Sequence, residues 1–187
     1  MTYERADLPL ADLVLRPWSR NLGGYDLLAA VAEAARDPRL ALWNPIPVTD
    51  PASAGEWIDT LAARWDAGAA TPFAVMDATT GGLLGAVTLR WVDRPDNLAM
   101  LGYWTVPAAR ERGVATRAVR AITGWGFGVA GARRIELAHG VGNEASCRVA
   151  TRCGYPAEGT LRRSHRFGDG EYHDEHLHAR LATDPPL

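Results

Sequence analysis

The sequence contains no lysine, because all 20 of its basic residues are arginine. Chemistry that depends on a lysine of this chain, such as a Schiff base, is therefore excluded. The acidic residues number 22, which leaves a formal net charge of -2. A protein that binds nucleic acid through its overall charge would be basic. We therefore do not expect nucleic acid as a partner.

Cysteine is scarce, and long apolar segments are missing. Cys147 and Cys153 are six positions apart and lack C-x-x-C spacing, so we expect reduced thiols in the core. The first ten residues include Glu4, Arg5 and Asp7 without an apolar run, which is not the pattern of a signal peptide. No segment is long and apolar enough to span a membrane. We expect a cytoplasmic protein that has no membrane partner.

The chain length and composition are those of an ordinary globular domain. With 187 residues, 47% hydrophobic and 22% charged, it can bury a core without metal or disulfide crosslinks. Hydrophobic periodicity predicts four helices, at 25–36, 52–67, 114–127 and 144–153. It predicts seven strands, at 13–16, 72–76, 83–91, 99–106, 134–138, 155–167 and 171–181. This order predicts a single domain over 1–187, with helices on the faces of one sheet.

The segment 101–126 predicts a phosphate-binding loop. A strand ends, a loop with three charged residues follows, and a helix begins directly after Gly113. The first amides of a helix lack partners and lie at the positive end of its dipole, which suits a phosphate. Gly113 and the small Ala115 let a ligand approach the backbone, and Thr116 adds a hydroxyl. Neither G-x-x-x-x-G-K-[ST] nor G-x-G-x-x-G occurs, which excludes two common phosphate-binding folds.

Three blocks of this sequence resemble the GNAT superfamily of acetyltransferases, in its RimJ/RimL branch. The first is R-x-x-G-x-A at 110–115, which is similar to that family's pyrophosphate loop. The second is Asn143-x-x-Ser146 before a helix that ends in Gly154-Tyr155. The third is E-G-T-L-R at 158–162 with an aspartate on the return strand. An opening L-V-L-R-P-W at 13–18 matches as well, so the resemblance covers nearly the whole chain.

The resemblance implies an α/β GNAT fold: a single, mostly antiparallel sheet of about six to seven strands with a central splay, flanked by about four helices. It implies an N-acetyltransferase that uses acetyl-CoA, with direct attack by a primary amine in a ternary complex. The acceptor would be a protein N-terminus or a small molecule. No covalent enzyme intermediate is implied, so the cysteines need no catalytic part. A terminal hairpin can supply a dimer edge, which leaves a homodimer open.

The resemblance also implies the residues that contact the cofactor. A backbone amide near Trp104 to Val106 would hold the oxyanion. Ser146 would stabilise or protonate the departing thiolate. Asn143 would bind the pantetheine arm, cap the helix, or do both. The implied cofactor set is Trp104, Thr105, Val106, Arg110, Glu111, Arg112, Gly113, Val114, Ala115, Thr116, Asn143, Ser146 and Arg148.

This sequence departs from the family pattern at three positions. Met100 stands where many relatives have an acid, Ala150 where many have a tyrosine, and His178 where a tyrosine is common. Asp174 and Glu158 on the terminal hairpin are candidates to replace the base, because a buried carboxylate with a raised pKa can accept a proton near neutrality. The hairpin histidines and a chain of water molecules remain alternatives.

The acceptor side is predicted to include Trp43, Asn44, Tyr103 and His178. Trp43 either recognises the acceptor or only packs its loop. His176 and His178 alternate on one strand face, but no further ligand has suitable spacing, so we expect no metal.

Two other functions remain open from the sequence. Another donor such as succinyl-CoA is one alternative, with Arg162 or Arg163 to bind its acid. A non-catalytic acyl-CoA-binding module is the other, motivated by Met100 and Ala150.

Overall fold

Eight strands form one sheet in the order β1-β2-β3-β4-β5-β6-β8-β7 in the computed structural model, which describes residues 3–22 and 24–186. The strands are β1 (Leu8–Leu10), β2 (Leu13–Pro17), β3 (Ala70–Asp77), β4 (Leu83–Asp93), β5 (Leu98–Thr105), β6 (Arg134–Gly140), β7 (Ala157–Arg166) and β8 (Tyr172–Leu181). The helices are α1 (Gly24–Ala35), α2 (Pro38–Trp43), α3 (Pro51–Asp66), α4 (Val114–Gly128) and α5 (Glu144–Arg152). Neighbouring strands are antiparallel except β5 and β6.

This architecture confirms the mixed α/β fold with a mostly antiparallel sheet, but it has two elements more than the sequence predicted. The short strand β1 was missed because three residues carry no usable periodicity. The helix α2 was missed because Pro38 was interpreted only as the end of α1. Pro38 also begins α2, at a position where its missing N–H costs nothing, and the Asp37 carboxylate caps the helix by accepting from the Leu40 N–H at 2.9 Å.

The two faces of the sheet bury separate apolar clusters. Helices α4 and α5 cover one face, where Leu15, Val87 and Ile135 are fully buried. Helices α1 to α3 cover the other, where Trp18 and Ile58 are buried. Successive side chains of a strand point to opposite faces, so each central strand contributes to both clusters. The sheet is therefore a rigid support for anything bound at its edge or opening.

The sheet opens between β5 and β6. These parallel strands pair only from Leu98–Met100 to Arg134–Glu136, and beyond that point β5 stays with β4 while β6 stays with β8. The expected central splay is therefore confirmed. It lies at the carboxyl ends of two parallel strands, where open α/β sheets bind their ligands. Helices α4 and α5 follow directly after β5 and β6 in the chain, so both begin at this opening.

Strand β7 forms one edge of the sheet, and each of its residues is exposed. This geometry is compatible with a homodimer, which stays a prediction. Among the described residues, no helix has the combination of length and apolar character that crossing a membrane requires.

Candidate active site

A cleft of about 1090 Å³ occupies the opening between β5 and β6. Its walls come from β5, β6, the amino-terminal ends of α4 and α5, the helix α2 and the hairpin of β7 and β8. Most of the predicted cofactor residues line it: Trp104, Thr105, Arg110, Glu111, Gly113, Val114, Ala115, Thr116, Asn143, Ser146 and Arg148. Val106 and Arg112 do not line the cleft, and Arg112 instead donates to the Ala108 carbonyl at 3.4 Å.

The amino-terminal end of α4 leaves its amides available to a ligand. Gly113 caps this helix with a φ of 73°, a left-handed conformation that glycine adopts without strain. A glycine has no side chain to accept from the first helical amides, and no acidic residue lies in the first turn. The N–H groups of Val114 to Thr116 therefore face the cleft wall with the positive end of the helix dipole behind them.

Arg110 is already engaged by a carboxylate. Its guanidinium forms an ion pair with Asp37, with Nη1 at 3.1 Å from Oδ2 and a shorter contact between Nη2 and Oδ1. The Asp37 side chain is only 11% exposed, and hydrogen bonding to Arg110 lowers its pKa below the ordinary range. Arg110 thus ties the phosphate-binding loop to the start of α2, and its positive charge is largely neutralised there.

One backbone amide of β5 is better placed than its neighbours to hold an oxyanion. The Val106 N–H donates to the Leu84 carbonyl at 3.0 Å and is therefore occupied. Backbone groups of successive strand residues point to opposite edges, so the N–H groups of Tyr103 and Thr105 point away from β4, toward the opening. The Tyr103 carbonyl on that side accepts from Asn44 Nδ2 at 3.2 Å. Within the predicted stretch Trp104 to Val106, Thr105 is the donor that faces the cleft.

A pair of hydroxyl groups lies where α5 meets β5. Ser146 Oγ and Tyr103 Oη are 2.8 Å apart. Asn143 holds this turn, because its Oδ1 accepts from the Ser146 N–H at 3.3 Å as the cap of α5. Burial raises the pKa of Tyr103 well above its ordinary value, so the phenol keeps its proton. Sequence reasoning missed this pair because its members are 43 positions apart.

Helix α2 is docked on the tip of the β7–β8 hairpin and closes one side of the cleft. The Gly168 N–H donates to the Leu42 carbonyl at 2.9 Å. Trp43 packs edge-to-face on Phe167 with ring centroids 5.3 Å apart. A Cβ on Gly140 would lie 2.6 Å from the Trp43 ring. Trp43 therefore packs the loop and also lines the cleft, and its recognition of the acceptor stays a prediction.

The two carboxylates proposed from the sequence lie outside the cleft. Glu158 pairs with Arg134 at 2.9 Å, and this partner lowers its pKa, the opposite of what a base needs. Asp174 is exposed and accepts from the Arg163 N–H at 2.9 Å. The next residue, Glu175, points to the opposite face of β8, lines the cleft and accepts from Ser164 Oγ at 2.7 Å. Neither Glu158 nor Asp174 is supported as the base, and Glu175 was overlooked.

Histidines gather beside the cleft in a way that the sequence did not predict. His178 is 2% exposed and does not line the cleft, so this geometry gives no support to its predicted contact with the acceptor. Its neighbour His139 lines the cleft, and burial lowers the His139 pKa. His139 and Cys147 both lie close to His176 and His178. The expectation that no further ligand lies near the hairpin histidines is therefore wrong, because these two come from distant parts of the chain.

Comparisons with known proteins agree with this geometry. A family model described as an acetyltransferase (GNAT) domain matches residues 12–156. YdaF of Bacillus subtilis (strain 168), provisionally named a ribosomal N-acetyltransferase, is 28% identical over 131 residues, which are 67% of this chain and 69% of YdaF.

Solved structures share the fold at low sequence identity. The ribosomal-protein-S5-alanine acetyltransferase from Vibrio fischeri has a TM-score of 0.80 at 20% identity and covers 96% of this chain and 98% of its own. RimJ from Mycobacterium smegmatis, solved with a CoA disulfide, has a TM-score of 0.80 at 23% identity; the match covers 94% of this chain and 84% of the RimJ chain.

The parted strands, the open helix end and the family match together define an acetyltransferase that takes its acyl group from acetyl-CoA. Because the family model spans most of the chain, the protein belongs to the acetyltransferase (GNAT) family. Its neighbours in sequence and structure are RimJ/RimL-like, which confirms the resemblance given by the three sequence blocks.

Proposed function

We propose that this protein transfers the acetyl group of acetyl-CoA to the N-terminal amine of a protein, by direct attack in a ternary complex. The observation that carries the proposal is the Ser146–Tyr103 hydroxyl pair at 2.8 Å, set in the opening where the Thr105 amide is free of its own sheet. Acyl transfer to an amine needs a donor for the oxyanion and a proton for the leaving thiolate, and this opening offers both.

The reaction divides the cleft residues by role. The pyrophosphate of the cofactor lies against the free amides at Val114 to Thr116. Asn143 has a side-chain amide free to bind the pantetheine arm while its oxygen caps α5. The amine nitrogen attacks the thioester carbonyl, and the Thr105 N–H stabilises the negative oxygen. The carbon–sulfur bond then breaks, and the thiolate takes a proton from Ser146. The Ser146 oxygen takes the Tyr103 proton in the same step, and water returns a proton to Tyr103, so that no phenolate accumulates.

The proton lost by the amine goes to Glu175, directly or through water. Glu175 is the carboxylate of the Asp174-Glu175 pair that lines the cleft, and it stands on the face of the sheet that carries Trp43 and Met100. It therefore offers a base in place of the acid that Met100 replaces. Glu175→Gln is expected to lower kcat by about 100-fold, the size of a general-base contribution. Glu158→Gln, a matched change outside the cleft, is the control and is expected to leave kcat within about twofold.

One observation favours a protein end over a small amine. The relatives named above act, by their names, on ribosomal proteins. Arg162 and Arg163, the two cations considered for a succinyl donor, are exposed on β7 and outside the cleft lining, so that argument for succinyl-CoA loses its support.

The experiment is a competition among acceptors. The purified protein receives acetyl-CoA with equal concentrations of peptides that have free amino termini, the same peptides with blocked amino termini, and small amines that include aminoglycosides. Mass spectrometry then locates the acetyl group. We expect modification of the α-amine of a subset of free peptides and none of the blocked ones. Exclusive modification of a small amine would overturn the protein-terminus assignment while keeping the transferase.

A further inference from the structure

Four side chains able to ligate a metal ion converge beside the cleft from three elements. They are His139 on β6, Cys147 on α5, and His176 and His178 on β8. One ligand atom from each lies within 4.8 Å of those of the other three. The register explains the meeting, because His139 pairs directly with His176, and His178 follows two positions later on the same face.

Hydrogen bonds orient two of these rings as metal ligands are oriented. His139 Nδ1 lies 2.9 Å from the Gly140 carbonyl, and His178 Nδ1 lies 3.0 Å from the Tyr155 carbonyl. A carbonyl oxygen can only accept, so both Nδ1 atoms carry the proton, and both Nε2 atoms of the neutral rings carry a lone pair. An imidazole that donates its second N–H to a carbonyl is the usual outer arrangement of a metal-bound histidine.

The lone pairs of these two rings face each other. His139 Nε2 and His178 Nε2 are 3.2 Å apart, whereas the ring centroids are 5.2 Å apart and the ring planes are inclined at 27°, so the two rings meet edge to edge. Two lone pairs at this distance repel unless a proton or a metal ion lies between them. Zinc binds imidazole nitrogen at about 2.0–2.1 Å, so two nitrogens on one tetrahedral edge are about 3.3 Å apart. The observed 3.2 Å between the two Nε2 atoms therefore matches the separation of two nitrogen ligands on one tetrahedral zinc ion.

We propose that His139, Cys147, His176 and His178 form a tetrahedral zinc site. Three imidazoles and one thiolate are a ligand set that zinc favours. The ligand atoms of the four side chains lie up to 4.8 Å apart, which is more than the nitrogen–sulfur distance around a tetrahedral zinc ion. The less buried ligands would therefore move inward by about 1 Å when zinc binds. Cys147 and His176 are half-buried, which leaves them able to make that movement.

Four protein ligands fill the coordination of the ion, so the site is structural and leaves no position for water or substrate. The metal would join α5 to β6 and β8. Cys147 directly follows Ser146 in the chain, so the ion would anchor the helical turn that carries the Ser146–Tyr103 pair. This inference concerns metal binding by the chain itself and does not depend on the acceptor.

The test uses the full chain, reduced and stripped of metal by a chelator, and titrated with Zn²⁺ and separately with Co²⁺. We expect one equivalent of each to bind. The cobalt form should show the intense visible bands of tetrahedral coordination and a thiolate-to-metal charge-transfer band. Cys147→Ala should lose that band and weaken zinc affinity at least about 100-fold. Loss of a residue that only hydrogen-bonds a metal ligand already costs about 10- to 100-fold in affinity, and Cys147 would be a ligand itself.

Cys153→Ala is the matched control, because Cys153 is the other cysteine and lies outside the cluster. It should keep both the band and the affinity. His176→Ala, at a half-buried position, is a second variant should Cys147→Ala fail to fold; it should keep the charge-transfer band and weaken zinc binding. Absence of stoichiometric binding by the unaltered protein, or a charge-transfer band that follows Cys153 instead of Cys147, would overturn the proposal.

Discussion

The hydroxyl pair of Ser146 and Tyr103 makes a quantitative prediction. Ser146→Ala removes the proton donor to the thiolate, and general-acid contributions start at about 100-fold in rate. Tyr103→Phe removes one neutral hydrogen bond of 2.8 Å, worth about 1 kcal/mol, which is about fivefold in kcat. If Tyr103 acts through Ser146, the double variant should be no slower than Ser146→Ala alone, about 100-fold below the unaltered protein.

The assay is a double-mutant cycle on kcat, followed by acceptor-dependent release of free thiol at saturating acetyl-CoA. Tyr155→Phe is the control, because Tyr155 is a second tyrosine whose pKa is raised by burial and whose hydroxyl lies 2.7 Å from the Thr123 hydroxyl, away from the cleft. It should leave kcat unchanged. Independent effects that multiply to about 500-fold in the double variant would refute the relay, as would full activity in Ser146→Ala.

Two further predictions concern the elements that shape the cleft. Asp37→Asn keeps the cap of α2 but removes the half-buried pair with Arg110, so urea denaturation should show a loss of about 2 kcal/mol at pH 7. Because Arg110 lowers the Asp37 pKa, the stabilisation is full above the unfolded value, about pH 4, and is lost as the pH falls through the lower folded value; a difference in stability that does not shrink below about pH 4 would contradict this. Gly168→Ala would place a Cβ 1.7 Å from the Ala41 carbonyl oxygen, and should cost about 2 kcal/mol and raise the acceptor KM by undocking α2. Gly159→Ala, whose Cβ meets no atom within 4 Å, is the control on the same hairpin, and equal losses in both would refute the steric argument.

Features with local signals were predictable from the sequence. The loop before α4 was found because a glycine and small residues follow a strand. The turn of Asn143 and Ser146 and the splay between β5 and β6 came with the family resemblance. The residues of the loop and of the turn each lie within one strand–helix junction, so their spacing survives in the linear sequence.

Features that depend on pairing over long distances could not be predicted. Asp174 and Glu175 are adjacent acids, and only the register of β8 against β6 decides which one faces the cleft. Two register shifts in the pairing of β7 with β8 further separate sequence alternation from the face that a residue occupies. The approach of Tyr103 to Ser146, and of His139 to His178, likewise follows from how distant strands meet, for which composition and spacing hold no signal.

Acceptor-dependent thiol release from acetyl-CoA tests the assignment as an N-acetyltransferase most directly. The unaltered protein is mixed with acetyl-CoA and free-amine peptides, and thiol release and peptide mass are followed together. We predict release that requires a peptide with a free amine, matched mole for mole by acetylated peptide, and strongly slowed in Ser146→Ala. Tight binding of acetyl-CoA without transfer to any amine, from this or another acyl-CoA, would contradict the account and favour a protein that only binds the cofactor.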